Sequence, residues 1–198
     1  MKTGEIIQGL RACAASDDVG IMGRLGDGNL VKKSLGCAYL VDDSSGVTKK
    51  FGDPSCAYWD IFKHITYEPT LGQVHFDGVA EDDCGEMVVP YSKVMDSGKG
   101  VCLEKAIAFQ LAMQDHMPCF LVSGGLSLSK DDFTDFHAYN IVDGPKRGLQ
   151  LVDVENPHFK EEGGSSRITG RYVVPILGVD KGEFVLTDEA SDGRTYNV

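Results

Sequence analysis

Three residues of this sequence, Cys102, His137 and Asp153, carry the side chains that thiol-based acyl transfer requires. A cysteine attacks a carbonyl carbon, a histidine accepts the thiol proton, and a carboxylate fixes the tautomer of that histidine. Cys102 follows a loop that contains Gly98 and Gly100, and the other two residues lie in apolar, strand-like runs. Their order and surroundings predict covalent catalysis through a thioester.

The element that positions the cysteine is predicted to be a helix over residues 102–115. At about 100° per residue, Cys102 and Ala106 lie at the centre of an apolar face, and Glu104 and Lys105 fall on the opposite side. A thiol in the first turn lies at the positive end of the helix dipole, which favours the thiolate. The Cys102 backbone N–H is the predicted oxyanion donor.

The other two residues are predicted to lie on a hairpin whose strands run through residues 137–142 and 149–154, joined by the turn formers of 143–148. With Ile141 opposite Leu149, His137 lies opposite Asp153 on the same face. A slip of one residue would separate them, so the prediction depends on register.

These segments resemble the transglutaminase-like, papain-related family. Residues 100–106 resemble its nucleophile helix, with a Gly-x-Cys-x-x-x-Ala core, and residues 117–124 resemble the proline-containing turn and strand that follow. Residues 137–140 resemble the His-Ala-Trp-Asn block and 151–153 the aspartate block, within a match over 58–157. The resemblance implies an α+β fold with a papain-like or transglutaminase-like core, in which the nucleophile helix packs on an antiparallel β-sheet.

Several positions depart from the family pattern. Tyr139 replaces the usual tryptophan, and Val154-Glu155 replaces Pro-Thr after the aspartate. Trp59 is the only tryptophan, so the tryptophan pair that shields the thioester in crosslinking enzymes cannot form. The resemblance therefore favours hydrolysis of an amide or peptide, of protease or deamidase type, over protein crosslinking.

Candidates for the rest of the site come mainly from the same resemblance. Gln73 is a candidate second oxyanion donor, because papain-like enzymes use a glutamine side chain for this purpose. Tyr139 and Asn140 flank the histidine and are candidates for lining the substrate cleft.

Three other interpretations stay open. An arylamine N-acetyltransferase-like enzyme uses Cys-His-Asp in this order, but it carries an arginine-glycine pair before the cysteine, where Lys99-Gly100 stands here. A transglutaminase-like acyltransferase acting on peptidoglycan or polyamines would share the triad. A non-catalytic binding module on the same fold is the third.

Composition limits the classes of partner. The chain has 198 residues, 42% of them hydrophobic, and a formal charge of −11. This charge argues against nucleic acid and anionic membranes as main partners, and leaves peptides, proteins or small amides as substrates. No segment has the roughly 20 apolar residues of a membrane helix.

The six cysteines are scattered, and no secretory signal precedes them, so reduced thiols are predicted. Localisation is expected to be cytoplasmic, or secreted by an unconventional route. His116 and Cys119 alone are a poor zinc motif, and neither a metal nor another cofactor is indicated.

The sequence favours a single domain over 1–198, with an N-terminal embellishment (1–55), a catalytic core (56–160) and C-terminal strands that complete the sheet (161–198). Further local predictions follow from the hydrophobic pattern. Helices are predicted over 5–15 and 55–66, a hairpin over 36–41 and 47–51, and strands over 73–79, 86–91, 172–179 and 182–187.

Overall fold

The computed structural model describes residues 8, 10–12, 14–15, 20–34, 37–68, 80–81, 87–127, 135–144, 148–155, 171–175, 183–187 and 196–197. Within these ranges the protein is a mixed α+β structure. Its helices are α1 (Ser44–Phe51), α2 (Ala57–His64), α3 (Tyr91–Ser97) and α4 (Cys102–Met113). Residues 8, 10–12 and 14 are also helical, in the region where the sequence predicts an N-terminal helix.

The strands of the described ranges form three sheets. The strands are β1 (Ile21–Met22), β2 (Leu30–Ser34), β3 (Cys37–Leu40), β4 (Thr66–Tyr67), β5 (Ala80–Glu81), β6 (Met87–Pro90), β7 (Lys99–Gly100), β8 (Cys119–Ser127), β9 (Asp135–Gly144), β10 (Gly148–Val152), β11 (Arg171–Pro175), β12 (Glu183–Thr187) and β13 (Tyr196–Asn197). The strand predicted over 73–79 lies outside the described residues.

The largest sheet is antiparallel and has the order β12-β11-β8-β9-β10-β13, with β1 also paired to β8. The strands predicted over 172–179 and 182–187 correspond to β11 and β12, which pair with each other and extend the sheet from β8. β13 pairs with β10 on the other side. The long central strands β8 and β9 therefore hold the middle of the sheet.

Helix α4 lies in the main hydrophobic core with the central strands. Ala106 and Phe109 share that core with Ala138, Val142 and Val152 of the sheet. Every residue from 103 to 113 is buried, so the helix is enclosed around its whole circumference. Glu104 and Lys105, which the sequence places opposite the centre of the apolar face, are also buried, with partners described below.

The central strands are buried on both faces. Tyr139, Ile141 and Leu151 alternate along their strands with the residues that face α4, and they too are buried. They lie outside the main core cluster. The continuous burial of residues 137–142 therefore reflects a sheet covered on two sides.

The smaller four-stranded sheet corrects one prediction. β3 pairs with β2 and β6, and the second half of the expected hairpin, 47–51, is instead part of helix α1. The Asp43 side chain accepts a hydrogen bond from the Gly46 N–H at 2.9 Å and caps this helix. Val47 and Phe51, four residues apart, are its buried residues. Helical burial at this spacing outweighs the local strand preference of Val47.

The predicted helix over 55–66 is confirmed as α2. The strand predicted over 86–91 is confirmed as β6, which ends at Pro90 because Tyr91 begins helix α3.

In the described part of the chain, no helix combines the length and apolar character needed to cross a membrane.

Candidate active site

The loop that precedes Cys102 is fixed by two glycines with different roles. Gly98 ends α3 in the left-handed region, with φ of 60°, which favours glycine. Gly100 lies in β7, which pairs in parallel with β4. A Cβ atom at Gly100 would lie 2.6 Å from Ile65 Cγ2 and 2.7 Å from Glu104 Cβ. The chain can therefore pass close to α4 only because residue 100 has no side chain.

The first turn of α4 is capped in an unusual way. Glu104 Oε2 accepts a hydrogen bond from the Val101 N–H at 2.8 Å. The reciprocal half of a capping box is missing, because the Val101 side chain has no acceptor and no side chain caps the helix. This arrangement anchors the start of α4 while using none of its first-turn N–H groups in side-chain capping, as an oxyanion site at Cys102 requires.

Glu104 is itself held by two tyrosines. Its Oε1 accepts a hydrogen bond from the Tyr39 hydroxyl, and its backbone carbonyl accepts one from Tyr91 at 2.5 Å. Burial and the Glu104 carboxylate raise the pKa of both tyrosines. The hydroxyls therefore stay protonated and donate to α4.

The predicted contact between His137 and Asp153 is present in the structure. His137 Nε2 lies 2.7 Å from Asp153 Oδ2, and both side chains are buried. The expected register is wrong by two residues, because Ile141 pairs with Leu151 instead of Leu149. An even shift preserves the side-chain alternation, so the two residues still share a face.

The same register places Asp153 beyond the end of the hydrogen-bonded ladder. The last pair of β9 and β10 is Asn140 with Val152. Asp153 therefore reaches His137 diagonally, from the residue after the strand. On the other side of β9, His137 pairs with Gly124, which presents no side chain beside the imidazole.

The His137 imidazole interacts with Cys102 as well as with Asp153. Burial opposes protonation of His137, but hydrogen bonding and charge interactions with Asp153 and Cys102 outweigh it and raise its pKa to about 10. Because Nε2 is bonded to Asp153, Nδ1 is the nitrogen that remains for the thiol. The imidazole thus interacts with both Asp153 and Cys102.

Asp153 is fixed by two further hydrogen bonds. Its Oδ1 accepts the Glu155 backbone N–H at 3.0 Å, and its backbone carbonyl accepts the Tyr58 hydroxyl at 2.8 Å. The carboxylate therefore has a separate donor on each oxygen, and the backbone is tied to helix α2. Such contacts keep a carboxylate in one orientation.

A buried ion pair lies next to this carboxylate. Lys105 Nζ is 2.9 Å from Glu155 Oε2. The ammonium also lies 5.0 Å from the centroid of the Phe62 ring. Lys105 is 2% exposed and Glu155 is partly buried, so the pair is shielded from water.

Of the remaining candidate residues, the structure describes Tyr139 and Asn140. Gln73 lies outside the described residues. Asn140 is fully buried, and its Nδ2 donates to the Ala106 carbonyl of α4 at 3.1 Å. Tyr139 is also buried, with its ring 6.1 Å from the His137 ring in a stacked arrangement. Neither side chain has the exposure that contact with a substrate requires, because each is buried on its own face of β9.

No protein-family model matches this sequence. A comparison with curated proteins likewise finds no match. The fold and the site geometry are therefore the basis for a functional proposal.

Sequence reasoning missed the residues that support the catalytic carboxylate. In the sequence, Tyr58 belongs only to the family resemblance, Glu155 is only a departure from it, and Lys105 lies opposite the centre of the apolar face of the helix. Their contacts join segments far apart in sequence, which no local spacing reveals. The one available signal is Glu155, a charged residue two positions after an expected catalytic aspartate.

Within the described ranges, no group of three metal-ligating side chains occurs.

Proposed function

We propose that this protein is a cysteine-dependent amide or peptide hydrolase with a transglutaminase-like, papain-related core. The observation that carries the proposal is the buried His137 imidazole, which interacts with Cys102 and bonds Asp153 at 2.7 Å. A buried imidazole between a thiol and a carboxylate fits nucleophilic catalysis better than a structural contact.

In the proposed reaction, His137 holds the thiol proton while Cys102 Sγ attacks the carbonyl carbon of the substrate. The C–N bond then breaks, and the leaving amine takes the proton from His137. Water next attacks the thioester as His137 accepts its proton. The S–C bond breaks, the acid leaves, and the proton returns to the thiol.

The other described residues have supporting roles. Asp153 stabilises the imidazolium and orients the ring. The Cys102 backbone N–H, in the uncapped first turn of α4, stabilises the oxyanion. The Gly98–Gly100 loop holds this turn in place.

Hydrolysis is favoured over transfer to an amine by the position of Tyr139. A crosslinking enzyme must shield its thioester from water until an amine arrives. Tyr139 occupies the sequence position of the family tryptophan, but it is buried beneath His137 and forms no exposed wall.

The proposal is tested by trapping the thioester on Cys102. The enzyme is incubated with a peptide and amide library, quenched in acid and digested, and the acyl group on the Cys102 peptide is identified by mass spectrometry. Cys102→Ala should abolish both the adduct and turnover while retaining the fold, because the thiol is only partly buried.

Cys119→Ala is the matched control, since that thiol is buried in the core and away from the imidazole. A Cys102→Ala protein with undiminished turnover of a validated substrate would exclude the thiol mechanism. A protein with no adduct and no turnover on any substrate would favour the binding-module interpretation.

A further inference from the structure

The Lys105–Glu155 ion pair connects the two segments that carry the proposed nucleophile and the carboxylate. Lys105 lies on α4, three residues after Cys102, and Glu155 lies two residues after Asp153. Helix α4 and the end of β10 are distant in sequence. The pair therefore fixes the separation between the nucleophile helix and the segment that contains Asp153.

The segment that contains Asp153 and Glu155 is held by side-chain contacts, because sheet pairing does not reach it. Pairing with β9 ends at Val152, one residue before Asp153. The Glu155 backbone N–H donates to Asp153 Oδ1 at 3.0 Å. When Lys105 holds the Glu155 side chain, it also holds the N–H group that orients the carboxylate toward His137.

We propose that the Lys105–Glu155 pair is a positioning device that sets the orientation of Asp153 toward His137. This inference rests on the proposed function. Lys105 and Glu155 are positioning residues, because they act on the reacting groups through Asp153.

Two basic side chains, Lys105 and His137, and two acidic ones, Glu155 and Asp153, interact around this contact. Burial raises the pKa of Glu155, Lys105 opposes that rise, Asp153 adds to it, and His137 opposes it. Glu155 therefore interacts electrostatically with both His137 and Asp153. Among the described residues, Cys102 also interacts with His137, and Tyr139 with Asp153.

A purely structural ion pair would behave differently. Buried ion pairs can often be replaced by neutral side chains without loss of stability, so retained stability alone does not reveal a positioning role. The discriminating readout is the state of His137 and Cys102 when the two charges are removed together.

The main test is the double variant Lys105→Met/Glu155→Gln. It removes one positive and one negative charge, so the direct electrostatic effects on His137 largely cancel. If the pair positions Asp153, the pKa of His137 should fall by about one pH unit, because its bond to Asp153 is weakened. Alkylation of Cys102 by iodoacetamide at pH 6 should slow by up to about 10-fold, because a one-unit change in pKa alters the thiolate fraction by at most that factor.

Two measurements follow these changes without any substrate. The pKa of His137 is obtained by NMR titration of the imidazole, and alkylation is followed by peptide mass spectrometry. Cys56 is an internal control, because hydrogen bonding to Asp60, together with burial and Asp53, raises its pKa to about 11. Lys49→Met, at an exposed site on α1, is the control variant.

A second variant, Glu155→Asp, covers the case in which the double variant does not fold. It keeps both charges but shortens the side chain and breaks the 2.9 Å contact. A positioning role predicts slower alkylation and a lower His137 pKa in this variant as well. A folded variant with the His137 pKa and the alkylation rate of the wild type would overturn the inference.

The test of this inference does not depend on whether the proposed hydrolase activity is found. If the protein hydrolyses no amide, the His137 titration still reports whether the pair positions Asp153. If a substrate is found, the double variant should lower kcat with little change in KM, because the pair does not touch the substrate.

Discussion

Replacing Asp153 by asparagine removes the carboxylate but keeps nearly the same volume at a fully buried site. With Oδ1 still accepting from the Glu155 N–H, the new amide group faces His137 Nε2. An amide N–H can only donate there, so Nε2 must become an acceptor and the ring proton moves to Nδ1. The nitrogen that faces Cys102 is then unable to accept the thiol proton.

The size of the effect follows from the charge state of His137. Asp153 and Cys102 together raise the pKa of the imidazole from 6.5 to about 10 against the opposing effect of burial. At 1.36 kcal/mol per pH unit, this corresponds to roughly 5 kcal/mol of imidazolium stabilisation shared by the two partners. A loss of up to about four orders of magnitude in rate, as in serine proteases with the same change, has a similar size.

The assay combines turnover with a chemical probe of the thiol. For Asp153→Asn, we expect a steep fall in kcat and slow iodoacetamide labelling of Cys102 between pH 5 and 7. The NMR titration of His137 should move to a much lower pKa, because burial is then poorly opposed. Asp96→Asn, an exposed carboxylate on α3, is the control. An Asp153→Asn protein with the wild-type His137 titration would refute the reasoning.

Three further results are expected. Gly100→Ala should lower the free energy of unfolding by about 1–3 kcal/mol, measured by urea denaturation, because its Cβ would meet Ile65 and Glu104; unchanged stability would contradict the close approach. The raised pKa of His137 stabilises the folded state fully below about pH 6.5, so the stability of the wild type relative to His137→Gln should decline toward pH 10, by about 1.4 kcal/mol per pH unit at most. Parallel curves for the two proteins would argue against it. With a glutamine-rich protein and a fluorescent amine, ammonia release should exceed amine incorporation, and efficient lysine–glutamine crosslinking would restore the transglutaminase alternative.

The sequence was informative where local periodicity and burial agree. The apolar spacing after Cys102 predicted α4, and the alternation around His137 and Asp153 predicted two strands with both side chains on one face. The register itself was not predictable, because shifts by two residues preserve the alternation and bury similar side chains. The error in register does not affect the contact between His137 and Asp153, because Asp153 lies one residue beyond the last β9–β10 pair and still reaches the imidazole.

The sequence was misleading where tertiary contacts override local preference. By periodicity Glu104 and Lys105 lie opposite the centre of the apolar face, yet each is buried because a partner elsewhere satisfies its charge. Residues 47–51 favour a strand locally, but the Asp43 cap and the burial of Phe51 make them helical. Asn140 and Tyr139 are adjacent to the proposed base in sequence, and the packing of both faces of β9 removes them from solvent.

The complete enclosure of α4 has a consequence for how activity would be lost. Backbone amides in an element buried on every side exchange with solvent mainly when the whole domain unfolds, whereas exposed segments open locally. The helix that carries Cys102 should therefore be among the last parts of the chain to exchange in deuterated water. Loss of amide protection in α4 should therefore coincide with global unfolding, whereas thiol reactivity, which also needs His137 and Asp153, can be lost while α4 is still intact.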